Sequence, residues 1–223
     1  MALVAGGALA LVIVFFVTRD RSPKSAALTA RMRAMELLGQ TVAKLRPEGT
    51  VLVLSNPFSR QAGLFDEKGQ FERAGLNGLR QGLGLARPVE VVFPEIRPEY
   101  LSDPQSVFMP ADSRTPLSFL IRPGEVDRLA AAHPDCTVVV SLIGLPSEIE
   151  RANIWREDDK RSLALLLPDL RVLGPPGKAI SAFEREKILA AVADDSFQPG
   201  NPLIVIRNNV REILERQPQA LGY

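Results

Sequence analysis

Histidine and cysteine each occur once, at His133 and Cys136, so a Ser–His–Asp triad or a Cys/His metal cluster would have to be built around these two residues. A Ser–His–Asp triad needs a serine and an acid converging on the one imidazole, and a metal needs several clustered ligands. Neither pattern is present. His133 reads as the cationic end of a helix C-terminus. Cys136 opens an apolar run and reads as a small buried side chain. Gly174-Pro-Pro-Gly177-Lys178 imitates a phosphate loop, which requires four residues between its glycines and a Ser or Thr after the lysine. Here two residues intervene and Ala179 follows, so the segment reads as a tight turn. What is left is non-covalent recognition by hydroxyls, amides and arginines. The candidates are Ser55, Asn56, Ser59, Arg60, Glu95, Ser141, Gly144, Ser147, Arg207 and Asn208, with Asp169 and Asn209 nearby. Arg60 and Arg207 suit a small anion, because a guanidinium grips a carboxylate at two points.

These residues share one kind of place, the end of an apolar run. Thr50–Leu54, Val89–Phe93, Cys136–Leu142, Leu163–Leu167 and Leu203–Ile206 are short and rich in aliphatic residues, as strands buried on both faces are. Between them come helical patterns: Gly69–Leu83, Glu125–Ala132, a short helix opened by the Ser147/Glu150 capping box, one opened by Ser181/Glu184 and running to about Asp194, and a last one capped by Asn208 or Asn209 and running to Arg216. Leu117–Ile121 reads as one more short strand. Alternating strands and helices imply right-handed crossovers and a parallel sheet. The expected fold is a single doubly wound, Rossmann-like, three-layer α/β domain over residues 48–223. In such a sheet ligands sit beyond the carboxyl ends of the strands, which is where the candidates fall.

Ahead of the domain lie two further segments. Residues 1–18 carry no charge, and as a helix they would span roughly 27 Å, enough for a thin bilayer. Charges follow at once at Arg19, Asp20, Arg21 and Lys24, and no basic residue precedes the run, which argues for an uncleaved anchor over a signal peptide. Residues 19–47 then form a basic amphipathic helix. Ser22 and Pro23 open it, Leu28, Met32, Met35, Leu38, Val42 and Leu45 make its apolar stripe, and Pro47 and Gly49 end it. Residues 19–46 carry +5, leaving −4 for the rest of the chain. By the positive-inside rule this points to the cytoplasm, although a basic stretch also rests well on anionic lipid.

The overall charge of +1 argues against a nucleic-acid partner, and no cofactor motif is present. The single cysteine excludes an intramolecular disulfide. Gly75, Gly78 and Gly82 fall within a helix whose stripe is Phe71, Leu76, Leu79 and Leu83. Each helical glycine costs about 0.5–1 kcal/mol against alanine. Close packing of this helix on the sheet is the expected compensation.

The segment from Gly63 through Gly69 to Gly75, the strand VEVVF, Glu95, Ser102-Asp103-Pro104 and the stretch CTVVVSLIGLPS at 136–147 resemble the first lobe of type 1 periplasmic-binding-protein domains of the amino-acid-receptor kind. The resemblance spans about residues 50–150. It implies an extracytoplasmic, non-enzymatic lobe and a polar small molecule at its strand ends. It also implies a bare inter-lobe face, since no second lobe follows. The expectation is a membrane-tethered binding or accessory domain, with lipid engaged through residues 1–18, self-association or another membrane protein as partner, and a small anion as possible ligand. The alternative is an intracellular membrane-anchored enzyme that uses the same strand-end loops.

Overall fold

Six strands form one sheet in the order β2-β1-β3-β4-β5-β6. The computed structural model describes residues 23–61, 63, 66–194 and 201–223. The expected anchor, residues 1–18, and the expected cap Ser22 lie outside these residues. Among the described residues no helix is long and apolar enough to cross a membrane. In chain order the elements are α1 (Pro23–Leu45), β1 (Thr50–Leu54), α2 (Glu67–Leu83), β2 (Val89–Val92), α3 (Pro98–Ser102), α4 (Leu117–Leu120), α5 (Glu125–Ala132), β3 (Cys136–Ser141), β4 (Ser162–Leu166), α6 (Pro176–Glu184), β5 (Ile188–Asp194), β6 (Pro202–Ile206) and α7 (Val210–Arg216). Strands β1 to β5 run parallel, with Val53 beside both Val91 and Val140 in the central register.

Alternation along the buried strands divides the core into two layers. Val51, Val53, Val138, Val140, Ala164 and Val192 face α1 and α2, which contribute Met35, Leu38, Val42, Leu79 and Leu83. Leu52, Leu54, Val139, Leu163, Leu165 and Ala191 face the other side, covered by α5, α6 and α7 through Leu129, Phe183 and Ile213. Trp155 is buried in this second layer. The three-layer expectation therefore holds, and α1 shares one of the outer layers with α2.

The glycines have a different cause from the one expected. A Cβ on Gly78 would lie 2.1 Å from the Met32 carbonyl oxygen, and one on Gly82 2.1 Å from that of Glu36. From the other side, a Cβ on Gly39 would lie 2.6 Å from the Leu79 carbonyl oxygen. The close approach is helix on helix, α1 against α2.

Four elements depart from the sequence reading. The helix expected from Ser181 to Asp194 is split. Pro176 opens α6 at its first turn, Glu186 takes a positive φ of 57°, and residues 188–194 then extend as β5. Its alanines suit a strand buried on both faces as well as a helix. The strand expected as the fifth is thus the sixth, and it runs antiparallel to β5. Residues 195–201 are too few for a crossover, so only a hairpin connection can join the two strands. The strand expected at Leu117–Ile121 is the single turn α4 behind Pro116, and only Ile121 bridges, to Ile96. The helix expected at Ser147 is two 3-10 turns, Ile149–Arg151 and Asn153–Trp155, and Ser147 caps neither.

The outer edge of β6 is closed by its own chain. Asn209 Oδ1 accepts from the Ile206 N–H at 2.8 Å, and its amide donates to the Ile204 carbonyl at 2.9 Å, groups that β5 leaves free. This blunts an edge that would otherwise invite pairing.

The α1–α2 contact yields a direct test. Gly78→Ala and Gly82→Ala each drive a methyl into backbone, which should lower the unfolding free energy by about 3 kcal/mol or more in urea titrations. Gly177→Ala, whose Cβ meets nothing within 4 Å, should change it by less than about 1 kcal/mol.

Candidate functional site

The strand order reverses between β1 and β3, and there the two following loops part, as at the switch point of other open α/β sheets. A cavity of about 560 Å³ opens at this point. Asn56 after β1 and Leu142 after β3 line it, together with Arg31 of α1, Asp66, Lys68, Phe71 and Glu72 at the start of α2, and Leu117. Asp66 is held in place by capping α2, its carboxylate accepting from the Gly69 N–H.

An ion pair lines the cleft, with its carboxylate buried and its guanidinium partly exposed. Arg31 Nη2 lies 2.6 Å from Glu72 Oε2, and its Nε donates to the Phe71 carbonyl at 2.9 Å. The other oxygen, Glu72 Oε1, accepts from Ser55 Oγ at 2.9 Å and from the Asn56 N–H at 2.5 Å. Two of the candidate donors at the end of β1 are thus engaged by a carboxylate of the chain itself. Asn56 Oδ1 accepts from the Phe58 N–H, and the residue lines the cleft. Ser59 donates to the Asn56 carbonyl, and Arg60 is exposed.

At β3, Ser141 is fully buried and donates to the Gly144 carbonyl at 2.5 Å. Gly144 has a φ of +84°, and a Cβ there would strike the Thr115 side chain. The Ser147 N–H donates to the Ser118 carbonyl, and the residue edges two smaller cavities away from the cleft. Glu95 is half exposed and pairs with Arg122 at 2.6 Å. The connection 94–116 crosses this end of the sheet. Asp112 reaches Arg171 at 2.5 Å, and Arg171 also holds the buried Asp169 at 2.7 Å, just past the end of β4. The hydrogen bond and charge of Arg171 hold the Asp112 carboxyl below its ordinary value, and the two carboxylates push the guanidinium further up.

Arg207 and Asn208 need correction. They follow β6, which is antiparallel, so they lie at the amino-end side of the parallel strands, opposite the cleft. Arg60 and Arg207 therefore do not share a site. His133 and Cys136 also lie at that far end. His133 is the C-cap residue of α5 and pairs with Glu90. Cys136 is buried, and that burial pushes its thiol up. Among the described residues no group of three or more His, Cys, Asp or Glu is placed to hold a metal.

No family model matches the sequence, and no curated protein matches it. Solved structures do resemble the fold. A carbohydrate transporter from Acidothermus cellulolyticus 11B, in complex with myo-inositol, aligns over 86% of this chain and 62% of its own length, with 11% identity and a TM-score of 0.50. The fold is periplasmic-binding-protein-like. An ABC transporter solute binding protein from Agrobacterium vitis with bound D-fucose aligns over 87% and 62%, with 14% identity and a TM-score of 0.49. A putative LacI transcriptional regulator from Bacteroides fragilis aligns over 82% and 61%, with 9% identity and a TM-score of 0.47. The chain spans less than two thirds of each of these structures. The first of them carries bound myo-inositol, and the amino-acid-receptor kind of the resemblance is not confirmed.

Strand-end reasoning missed Arg31, Lys68, Phe71 and Glu72 as site residues. A signal for two of them was present. Glu72 is in phase with Leu76, Leu79 and Leu83, and Arg31 with Met35, Leu38 and Val42. Opposite charges therefore interrupt two buried stripes.

Two outcomes follow. Glu72→Ala leaves Arg31 without its partner and should lower stability by about 3 kcal/mol in urea titrations, against less than about 1 kcal/mol for Glu184→Ala in the exposed pair with Arg211. Asp112→Asn should leave the melting temperature nearly unchanged but speed amide hydrogen exchange across 104–114. In the unaltered chain the Asp112 carboxyl has a depressed pKa, so its contact with Arg171 is intact at neutral pH and is lost only as pH falls below the ordinary value of 3.8.

Proposed function

We propose that this chain is a membrane-tethered, non-enzymatic binding domain that takes a small polar ligand, a sugar or polyol in chemical class, in the cleft between β1 and β3. The carrying observation is the placement of that cleft at the point where the strand order reverses. Its lining supports the reading: Asn56, Asp66, Lys68 and Glu72 bring hydrogen-bonding groups to the same cleft as the aromatic Phe71, a combination that suits a ring bearing several hydroxyls. The sugar and polyol bound to the first two similar structures favour the same class. The charge-free run at 1–18 supports the tether, and the fold supports an extracytoplasmic position.

The engaged state of Ser55 and the Asn56 N–H argues against a small anion there. Glu72 already presents a carboxylate to those donors, and a second one would be repelled.

Calorimetric titration of the full chain in detergent with myo-inositol and D-fucose tests the reading. Asn56→Ala or Lys68→Ala should weaken binding about tenfold, equivalent to ~1.4 kcal/mol. Arg207→Lys, at the far end of the sheet, should leave it unchanged. Binding lost in Arg207→Lys and kept in both cleft variants would put the site at the wrong end. Tight binding of acetate, with no response to either polyol, would favour the anion reading instead.

A further inference from the structure

The direction of α1 decides which way the domain faces. Ala27, Ala30, Arg31 and Ala34, in its first half, lie beside Leu166, Val192 and Asp194 at the carboxyl ends of β4 and β5. Its far end delivers Arg46 to Glu186, just before β5 begins. The chain that precedes α1 therefore joins the domain at the carboxyl-end face, the same face as the cleft. Between Thr18 and Pro23 stand only four residues, Arg19 to Ser22. At ~3.6 Å per residue they reach roughly 18 Å however they are arranged. If residues 1–18 sit in a bilayer, this face is held within that distance of its surface.

Three of the five exposed large apolar side chains among the described residues stand on this face, while Leu45 and Leu85 lie at the opposite end of the sheet. Phe58 follows β1 and is 43% exposed, and Leu101 and Phe108 in the 94–116 connection are 67% and 82% exposed. The connection belongs to the carboxyl end because Asp112 is fastened to Arg171 beyond β4, and Thr115 packs on Gly144 beyond β3. Basic groups share the face: Lys24 in the first turn of α1 and Arg60 after β1 are both exposed. The four-residue link carries Arg19, Asp20 and Arg21 in its sequence. Acidic groups share the face as well: Glu95 is half exposed beside Arg122, Asp103 is exposed, Glu148 pairs with Arg97, and of these four only Glu72, engaged by Arg31, is buried. Phenylalanine and leucine beside lysine and arginine suit the boundary of an anionic bilayer, where apolar side chains enter and cations meet phosphate.

We propose that the carboxyl-end face of this domain lies against the membrane, with Phe58, Leu101 and Phe108 seated among the lipid headgroups. The proposal rests on the tether reading above. It places the mouth of the cleft at the headgroup layer, so that a ligand is taken at the membrane surface.

The test uses the full chain reconstituted into liposomes of phosphatidylcholine and phosphatidylglycerol, with Cys136→Ser as background. Single cysteines are introduced by Phe58→Cys, Phe108→Cys and, at the opposite end, Leu85→Cys, which replaces a residue 92% exposed ahead of β2. Each carries a fluorophore, and nitroxide-headgroup lipids are the quencher. Labels at 58 and 108 should be quenched several-fold more than the label at 85, and less so without phosphatidylglycerol. Equal quenching at all three positions, or more at 85, would overturn the orientation. Disulfide cross-linking of 108 to 108 with no quenching would show a second copy covering the face, and would overturn it too. Flotation separates this from the tether reading. A chain that fails to float with the liposomes refutes the tether and the docking together, whereas one that floats with label 85 quenched refutes the docking alone.

Discussion

The backbone contact between α1 and α2 is the constraint from which the site follows. Gly39, Gly78 and Gly82 let the helices meet with carbonyl oxygens where side chains would stand, so the contact tolerates neither a slide nor a rotation. With α1 fixed in phase, Met35, Leu38 and Val42 point into the sheet and Arg31 points at Glu72. Glu72 in turn fixes the loop after β1 through the Ser55 hydroxyl and the Asn56 N–H. A helix that the sequence presents as a juxtamembrane segment is thereby a wall of the domain and one side of its cleft. Three helical glycines are unfavourable locally, and the buried layer they permit offsets that cost.

The pattern of strands was legible where burial and β-branching coincide. Thr50–Leu54, Val89–Val92 and Cys136–Ser141 read as strands because valine run against valine rarely makes a good helix. Residues 188–194 did not, because ILAAVAD carries three alanines and follows a capping box that led the helix onward. Glu186 in a left-handed conformation ends the helix, and nothing in its residue type announces that. The reversed hairpin was hidden by the same misreading: with β5 absent, the strand at 202–206 looked like one more parallel member.

The site was legible only in part, and the reason is directional. Strand-end reasoning finds residues that follow strands, so it found Asn56 and missed Arg31, Lys68, Phe71 and Glu72, which enter from helices. It also carried Arg207 and Asn208 to the wrong end, since the rule holds only for strands that run with the sheet. The charges at Arg31 and Glu72 were visible as interruptions of apolar stripes. Their pairing was not, because it depends on the crossing of two helices separated by a strand and a loop.

The strand ends of this domain find their partners within it. In an open sheet the last N–H and C=O groups of each strand face outward, and burying them unpaired costs about 1–3 kcal/mol each. At β1 a carboxylate from α2 fills that role. At β3 the Ser141 hydroxyl and the Gly144 turn do so, and past β4 the Asp112–Arg171–Asp169 chain pins a loop across the opening. Each closure is built from a group that reaches the rim from elsewhere in the chain. What stays open is the cavity at the gap between β1 and β3, where the two crossover directions diverge. The cleft is therefore a consequence of strand order, and the polarity of its walls is what the surrounding helices supply.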